Sequence, residues 1–181
     1  VNGTKTIIEK VLEKNAKLVY VSSVHAITEK PHHETITETT IFEPEKVKGQ
    51  YAKTKAEIAN YLLKTVRENN LNACIVHPSG MIGPNDFGNS HLTQLIIDFA
   101  SGKLKACVKG GYDFVDVRDV TAGVISACER GRAGECYILS NRYVEIRELL
   151  TLIRQLTDIK THTDTLPLWL AKLTAPLSEI Y

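Results

Sequence analysis

The chain has 181 residues, 43% of them hydrophobic and 24% charged, with a formal net charge of +1. This is the composition of a globular domain of ordinary size, or of part of a larger one. It offers no electrostatic case for a nucleic-acid or anionic-membrane partner, and no apolar run approaches the ~20 residues of a membrane span. Four cysteines, Cys74, Cys107, Cys128 and Cys136, show neither Cys-x-x-Cys nor metal-ligand spacing. Cys74 and Cys128 stand in apolar runs, as buried thiols do, which points to a reducing, cytoplasmic setting. No signal peptide is visible.

Val1-Asn2-Gly3-Thr4 runs straight into a helical pattern without an initiator Met, and Ser178-Glu179-Ile180-Tyr181 stops inside one without a cap. Both ends read as cut, so the later part of a longer protein is expected. From Thr4 to Asn15, Ile7, Ile8, Val11 and Leu12 fall on one stripe, a helix of about three turns. Lys17 to Ser22 is a β-branched apolar run of strand length, expected to be buried on both faces. A polar loop with Pro31 and Pro44 follows from Glu29 to Lys48. Gln50 opens a long helix with Ile58, Ala59, Leu62, Leu63 and Val66 along one side, closed by Asn69-Asn70.

Ala73 to His77 is a second buried strand, ended by Pro78, and Gly80, Gly83 and Pro84 punctuate a loop. His91 to Ser101 reads as a helix and Tyr112 to Val115 as a short strand. Asp116 at the N-cap and Asp119 behind it begin a helix from Val117 to Gly131. Glu135 to Leu139 is a third strand, and Val144 to Thr157 another amphipathic helix. Alternating helices and continuously apolar strands are the signature of an α/β protein, a parallel sheet covered by helices on both faces.

The chemistry centres on Gln50-Tyr51-Ala52-Lys53-Thr54-Lys55, where Tyr51 and Lys55 stand one turn apart on one helix face. A fixed ammonium beside a phenol stabilises the phenolate, which suits general acid/base work on a carbonyl or carbinol oxygen. The spacing alone would arise by chance in roughly two of five sequences of this composition, so it carries little by itself. Its setting carries more. Ligands in open α/β sheets bind at the carboxyl ends of strands. There the first strand presents Ser22 and Ser23, and the second presents Pro78-Ser79-Gly80-Met81.

Val19-Tyr20-Val21-Ser22-Ser23-Val24-His25-Ala26, Tyr51-Ala52-Lys53-Thr54-Lys55 and Val76-His77-Pro78-Ser79-Gly80-Met81-Ile82-Gly83-Pro84 together resemble the extended short-chain dehydrogenase/reductase family, the NAD-dependent epimerases and dehydratases. Phe114-Val115-Asp116-Val117-Arg118-Asp119-Val120 and Gly134-Glu135-Cys136-Tyr137-Ile138-Leu139-Ser140 continue the match in the same order, so it covers nearly the whole chain. The resemblance implies a partial Rossmann-type doubly wound sheet with a smaller substrate lobe. Residues 1–80 and 112–140 would form the nucleotide-binding part, and 81–111 and 141–181 mainly the lobe.

It also implies NAD or NADP as cofactor and a small-molecule substrate. Ser23 would bind the substrate oxygen, Tyr51 would pass the proton and, with Lys55, meet the cofactor, and Lys55 would hold the nicotinamide ribose and favour the Tyr51 phenolate. Pro78, Ser79, Gly80 and Met81 would meet the nicotinamide end, and His25 and Tyr112 are candidates for touching substrate. Family members often dimerise through the Tyr-bearing helix, so a homodimer is expected.

The departures from the family pattern are as informative. No Gly-rich phosphate loop is present, nor a residue to place on a ribose 2′ position, so this piece alone is expected to bind dinucleotide poorly and to be inactive. Missing strands would expose a long sheet edge. Sugar-nucleotide enzymes of the family often carry Arg where this chain has Tyr112, and its dehydratases an acidic pair where Val24-His25 stand. Both differences favour the dihydroflavonol reductase-like branch over an epimerase or dehydratase. A non-catalytic dinucleotide-binding regulator is the reading from another class, against which both Tyr51 and Lys55 are retained. Arg118 reads as a surface or packing residue. His32-His33-Glu34 does not read as a metal site, because adjacent side chains in an extended loop point apart. Leu166 to Leu177 lacks a basic face and reads as part of the substrate lobe rather than a membrane-surface helix.

Overall fold

The computed structural model describes residues 2–31, 34–88, 90–104, 106–157 and 164–166. In chain order the elements begin with α1 (Asn2–Glu13), β1 (Leu18–Val21), a 3₁₀ turn (Val24–Ala26), α2 (Gln50–Asn69), β2 (Ala73–Pro78) and β3 (Gly80–Ile82). They continue with α3 (His91–Ala100), β4 (Ala106–Val108), β5 (Gly111–Asp116), α4 (Val117–Arg130), β6 (Cys136–Leu139), β7 (Arg142–Glu145), α5 (Ile146–Thr157) and β8 (Asp164–Leu166). The sheets run β1-β2-β6, β3-β5-β7 and β4-β8. His32, His33 and residues 167–177, read above from sequence, lie outside the described residues. Among the described residues no helix is long and apolar enough to cross a membrane.

The chain divides into two compact units, Val1–Met81 with Val115–Ser140, and Ile82–Phe114 with Asn141–Tyr181. In the first, β1, β2 and β6 are parallel, with Val21 opposite Val76 and Val76 opposite Tyr137. Strand alternation sends Ala73 and Ile75 to one face and Cys74 and Val76 to the other. The first face packs Ile8 of α1 and Ala52, Ala56, Ala59, Leu62 and Leu63 of α2. The second face packs Ala127 and Val124 of α4. Helices on both faces leave all six residues of β2 buried, and each large apolar side chain so covered contributes about 1.5–3 kcal/mol. This is the α/β architecture expected from the alternation of elements.

β1 differs from expectation: Leu18, Val19 and Tyr20 are only half-buried and Val21 is 40% exposed. The reason is its place at the edge of the sheet, paired on one side by β2 alone among the described residues. The loop between Glu29 and Lys48 has no helix or strand among the described residues, yet it is fastened down. Phe42 and Val47 are buried, Asn60 Nδ2 of α2 donates to the Phe42 carbonyl at 2.9 Å, and Glu38 Oε1 accepts from the Ile138 N–H at 3.3 Å.

The second unit is built from shorter pieces. β5 and β7 pair antiparallel, Tyr112 opposite Val144 and Gly111 opposite Glu145. Among the described residues its buried side chains fall into two small clusters, Phe99, Cys107 and Leu150, and Phe114, Val144 and Leu149. Val144 and Glu145, read above as the start of a helix, are therefore strand: Val144 is buried between exposed Tyr143 and Glu145, a period of two rather than 3.6. Gly80 likewise opens strand β3 instead of a loop. Cys128 is exposed, contrary to its apolar sequence setting, because α4 turns Ala127 to the sheet and the next residue points about 100° away. Cys74, Cys107 and Cys136 are buried, and burial pushes the Cys136 thiol up to about 12.

Candidate active site

The first turn of α2 carries the expected pair. Gly49 enters the helix at φ +85°, a conformation that favours glycine. Ala52 and Ala56 take the core-facing positions, which leaves Tyr51 on the flank with 58% of its surface exposed. Lys55 Nζ donates to the Val21 carbonyl at 3.2 Å, at the carboxyl end of β1. It lies 5.3 Å from the centre of the Tyr20 ring and 5.7 Å from that of Tyr51. A cation over two ring faces gains about 0.5–1 kcal/mol from each at sites of this exposure. No carboxylate pairs with Lys55 among the described residues. Burial holds its ammonium below the ordinary lysine value. Burial, and then the neighbouring Tyr51, push the Tyr20 phenol above its ordinary value, so Tyr20 offers a neutral ring at physiological pH.

The end of β1 supplies the second part. Ser22 and Ser23 are both buried, and Ser22 N–H continues the ladder onto the Val76 carbonyl at 2.8 Å. Ser23 caps the 3₁₀ turn Val24–Ala26, and its Oγ accepts from the His25 N–H at 3.3 Å. That bond occupies a lone pair and leaves the hydroxyl proton to donate elsewhere. The turn carries His25 to the edge of the Tyr51 ring, with centroids 6.4 Å apart and planes at 76°. Ser23, His25, Tyr51 and Lys55 are thus tied together by direct contacts within one unit.

Of the segment after β2, Pro78 is buried as its last residue, Ser79 N–H bonds the Leu139 carbonyl at 3.0 Å, and Met81 is exposed in β3. The Ser22 and Ser79 hydroxyl oxygens are buried and without a hydrogen-bond partner among the described residues. Tyr112 belongs to the other unit, exposed on β5 with its ring 6.3 Å from that of Phe114. Arg118 forks onto the Asp116 carboxylate at the exposed start of α4, in keeping with a surface role. Among the described residues no cluster of His, Cys, Asp and Glu could hold a metal. A cavity of about 290 Å³ on the α4 face, lined by Ser126, Arg130, Tyr137 and Leu139, contains none of the expected site residues.

Sequence reasoning gave no role to two residues that touch this cluster. Tyr20 is one, and its signal was its spacing: two before Ser22, it shares the strand face that α2 covers. His77 is the other, a polar ring inside an apolar strand, which must find a partner where it is buried.

Comparison with known proteins bears on the family and the fold. The NAD dependent epimerase/dehydratase family matches residues 1–140. The chain is 32% identical over 159 residues to sterol demethylase protein B of Methylococcus capsulatus, covering 86% of this chain and 47% of that protein. It is 32% identical over 158 residues to a Synechocystis protein named "Putative dihydroflavonol 4-reductase", covering 85% of this chain and 46% of that one. The crystal structure of gox2253 superposes with a TM-score of 0.87 at 32% identity, over 99% of this chain and 54% of that one. The chain therefore spans about half the length of the curated relatives it matches. With its parallel sheet, its flanking helices and this match, the chain belongs to the NAD dependent epimerase/dehydratase family.

Proposed function

We propose that the protein to which this chain belongs is an NAD(P)-dependent oxidoreductase interconverting a ketone or aldehyde with an alcohol, Tyr51 passing the proton. The observation that carries this reading is the Lys55 ammonium, fastened to the Val21 carbonyl and set between the Tyr20 and Tyr51 rings with no carboxylate pairing it among the described residues. In reduction Tyr51 Oη gives its proton to the carbonyl oxygen, and Lys55 stabilises the charge left on the phenol oxygen. In oxidation the proton returns along the same path. Ser23, whose Oγ already accepts from His25, donates its hydroxyl proton to the substrate oxygen.

A nicotinamide cofactor, when bound, supplies or takes up the hydride. The residues present fit its nicotinamide end. Lys55 has donors to spare for ribose hydroxyls, and the orphaned Ser79 Oγ beside the end of β2 is the kind of buried polar group that a ligand satisfies. Backbone groups of Pro78, Gly80 and Met81 complete that wall. Tyr112, where sugar-nucleotide enzymes often have Arg, supports a substrate without a diphosphate, and so does similarity to a protein named as a dihydroflavonol 4-reductase.

Tyr51→Phe in the natural full-length protein tests the reading. Turnover is expected to fall by ~10²–10⁴-fold, with the thermal midpoint kept, since Tyr51 is largely exposed. Undiminished turnover in that variant would remove Tyr51 from the chemistry.

A further inference from the structure

His77 is fully buried in β2, stacked on Phe42 with ring centroids 5.4 Å apart and planes 23° apart. Its Nδ1 lies 2.9 Å from the Ser23 carbonyl oxygen. A carbonyl can only accept, so Nδ1 carries the proton and Nε2 is the bare nitrogen. Nε2 is buried without a hydrogen-bond partner among the described residues. Burial above all holds the imidazole below its ordinary value, so the ring is neutral at physiological pH. Enclosing such a ring is costly unless a bond is gained. The bond to Ser23 is the one gained.

That bond lands on an informative atom. The Ser23 carbonyl also accepts the Ala26 N–H at 3.1 Å, so two donors converge on it from different elements. Ser23 Oγ meanwhile accepts from the His25 N–H. Turning the Ser23 peptide would break these bonds together, and His77 is the partner anchored in the sheet interior. Phe42 backs the ring, and Asn60 of α2 holds Phe42 by its carbonyl.

We propose that His77 is a positioning residue, whose Nδ1–H grips the Ser23 carbonyl and fixes the direction in which Ser23 Oγ presents its proton. The inference rests on Ser23 being the group that meets the substrate oxygen. A misplacement of about 1 Å at such a group can cost on the order of a hundredfold in rate.

The test uses two substitutions in the natural full-length protein. His77→Phe keeps an aromatic ring against Phe42 but removes the donor, and His77→Asn returns an N–H near the place of Nδ1. We expect His77→Phe to lower kcat by roughly tenfold while the substrate KM changes by less than about threefold, as for a contact that matters most in the transition state. Hydrogen exchange at the Ala26 amide should quicken in the same variant. His77→Asn should recover most of both. In the unsubstituted chain, a nitrogen-15 spectrum of the imidazole should show the proton on Nδ1. A proton on Nε2 would overturn the proposal, as would unchanged Ala26 exchange and kcat in His77→Phe. So would an Asn variant no better than Phe, with kcat merely following thermal stability. Should Tyr51→Phe retain turnover, Tyr51 leaves the chemistry, while the tautomer and Ala26 exchange still decide the role of His77.

Discussion

The two units of this chain are built on different plans. In the first, one strand buried along its whole length is covered on both faces, and Lys55, Ser23 and His77 attach to the ends of that sheet. In the second, short strand pairs, β5–β7 antiparallel and β4–β8 parallel, accompany two small clusters among the described residues, and large side chains such as Phe87, Tyr112 and Tyr143 stand exposed. The contrast teaches where precision can be kept. A doubly covered parallel sheet supplies neighbours that cannot drift. A patchwork of short strands can vary its surface with less consequence for the core.

Removal of a central side chain from each unit is the strongest way to break the comparison. Leu62 and Phe99 are both fully buried. Leu62→Ala is expected to cost ~2–5 kcal/mol and Phe99→Ala ~3–5 kcal/mol, read by denaturant unfolding. Amide exchange should localise the loosening, to β1, β2 and α2 for Leu62→Ala and to α3 and α5 for Phe99→Ala. Equal loosening of both units by either change would show that they share one cooperative core.

A smaller effect separates backbone from side-chain constraint. A Cβ at Gly111 would lie against the Val144 carbonyl and 2.8 Å from Glu145 Cα, backbone that cannot yield without opening the β5–β7 pair. A Cβ at Gly123 would meet the tip of Leu139, which can rotate away. Gly111→Ala should therefore lower stability by ~1–3 kcal/mol and Gly123→Ala by less, within the range for overpacking. Thermal midpoints of the two variants give the order directly.

The smallest effect lies in acid. Asp86 in the second unit accepts from Ser90 and Thr93, and Asp116 in the first accepts from the Arg118 side chain and N–H. These bonds hold both carboxyls at about 2, below the ordinary 3.8. Because the folded values are depressed, the stabilisation is complete above about 3.8 and is lost as pH falls towards 2. Carboxyl carbon titration should give both midpoints near 2. Asp86→Asn or Asp116→Asn should flatten the acid limb of stability, and Asp116→Asn only slightly, since its ion pair is exposed.

Much of the first unit was legible because its elements carry strong, local signals. Ile58, Ala59, Leu62 and Leu63 recur at helical spacing, and α2 ends at Asn70 in the left-handed conformation that Asn tolerates. Ala73 to Val76 form an apolar run too short for a helix and stopped by proline. Ser23, Tyr51 and Lys55 stand out because their segments resemble those of a known family, the Tyr51–Lys55 spacing carrying little by itself. In the second unit, Arg142 to Glu145 is a strand only because a partner strand lies beside it, and four residues carry too little pattern to announce that.

By itself, then, the sequence determined the α/β class, the long helix and its Tyr51–Lys55 face, and the hydroxyls at the end of β1, since each depends on neighbours along the chain. The tertiary structure decided what depends on neighbours across it. It exposed the edge of β1 and turned Cys128 outward. It hung the Lys55 ammonium on the Val21 carbonyl and set the His77 ring against Phe42, with its Nδ1 2.9 Å from the carbonyl oxygen of Ser23. A hydrogen bond between residues 54 positions apart leaves no periodicity in the chain, because only the fold brings donor and acceptor together.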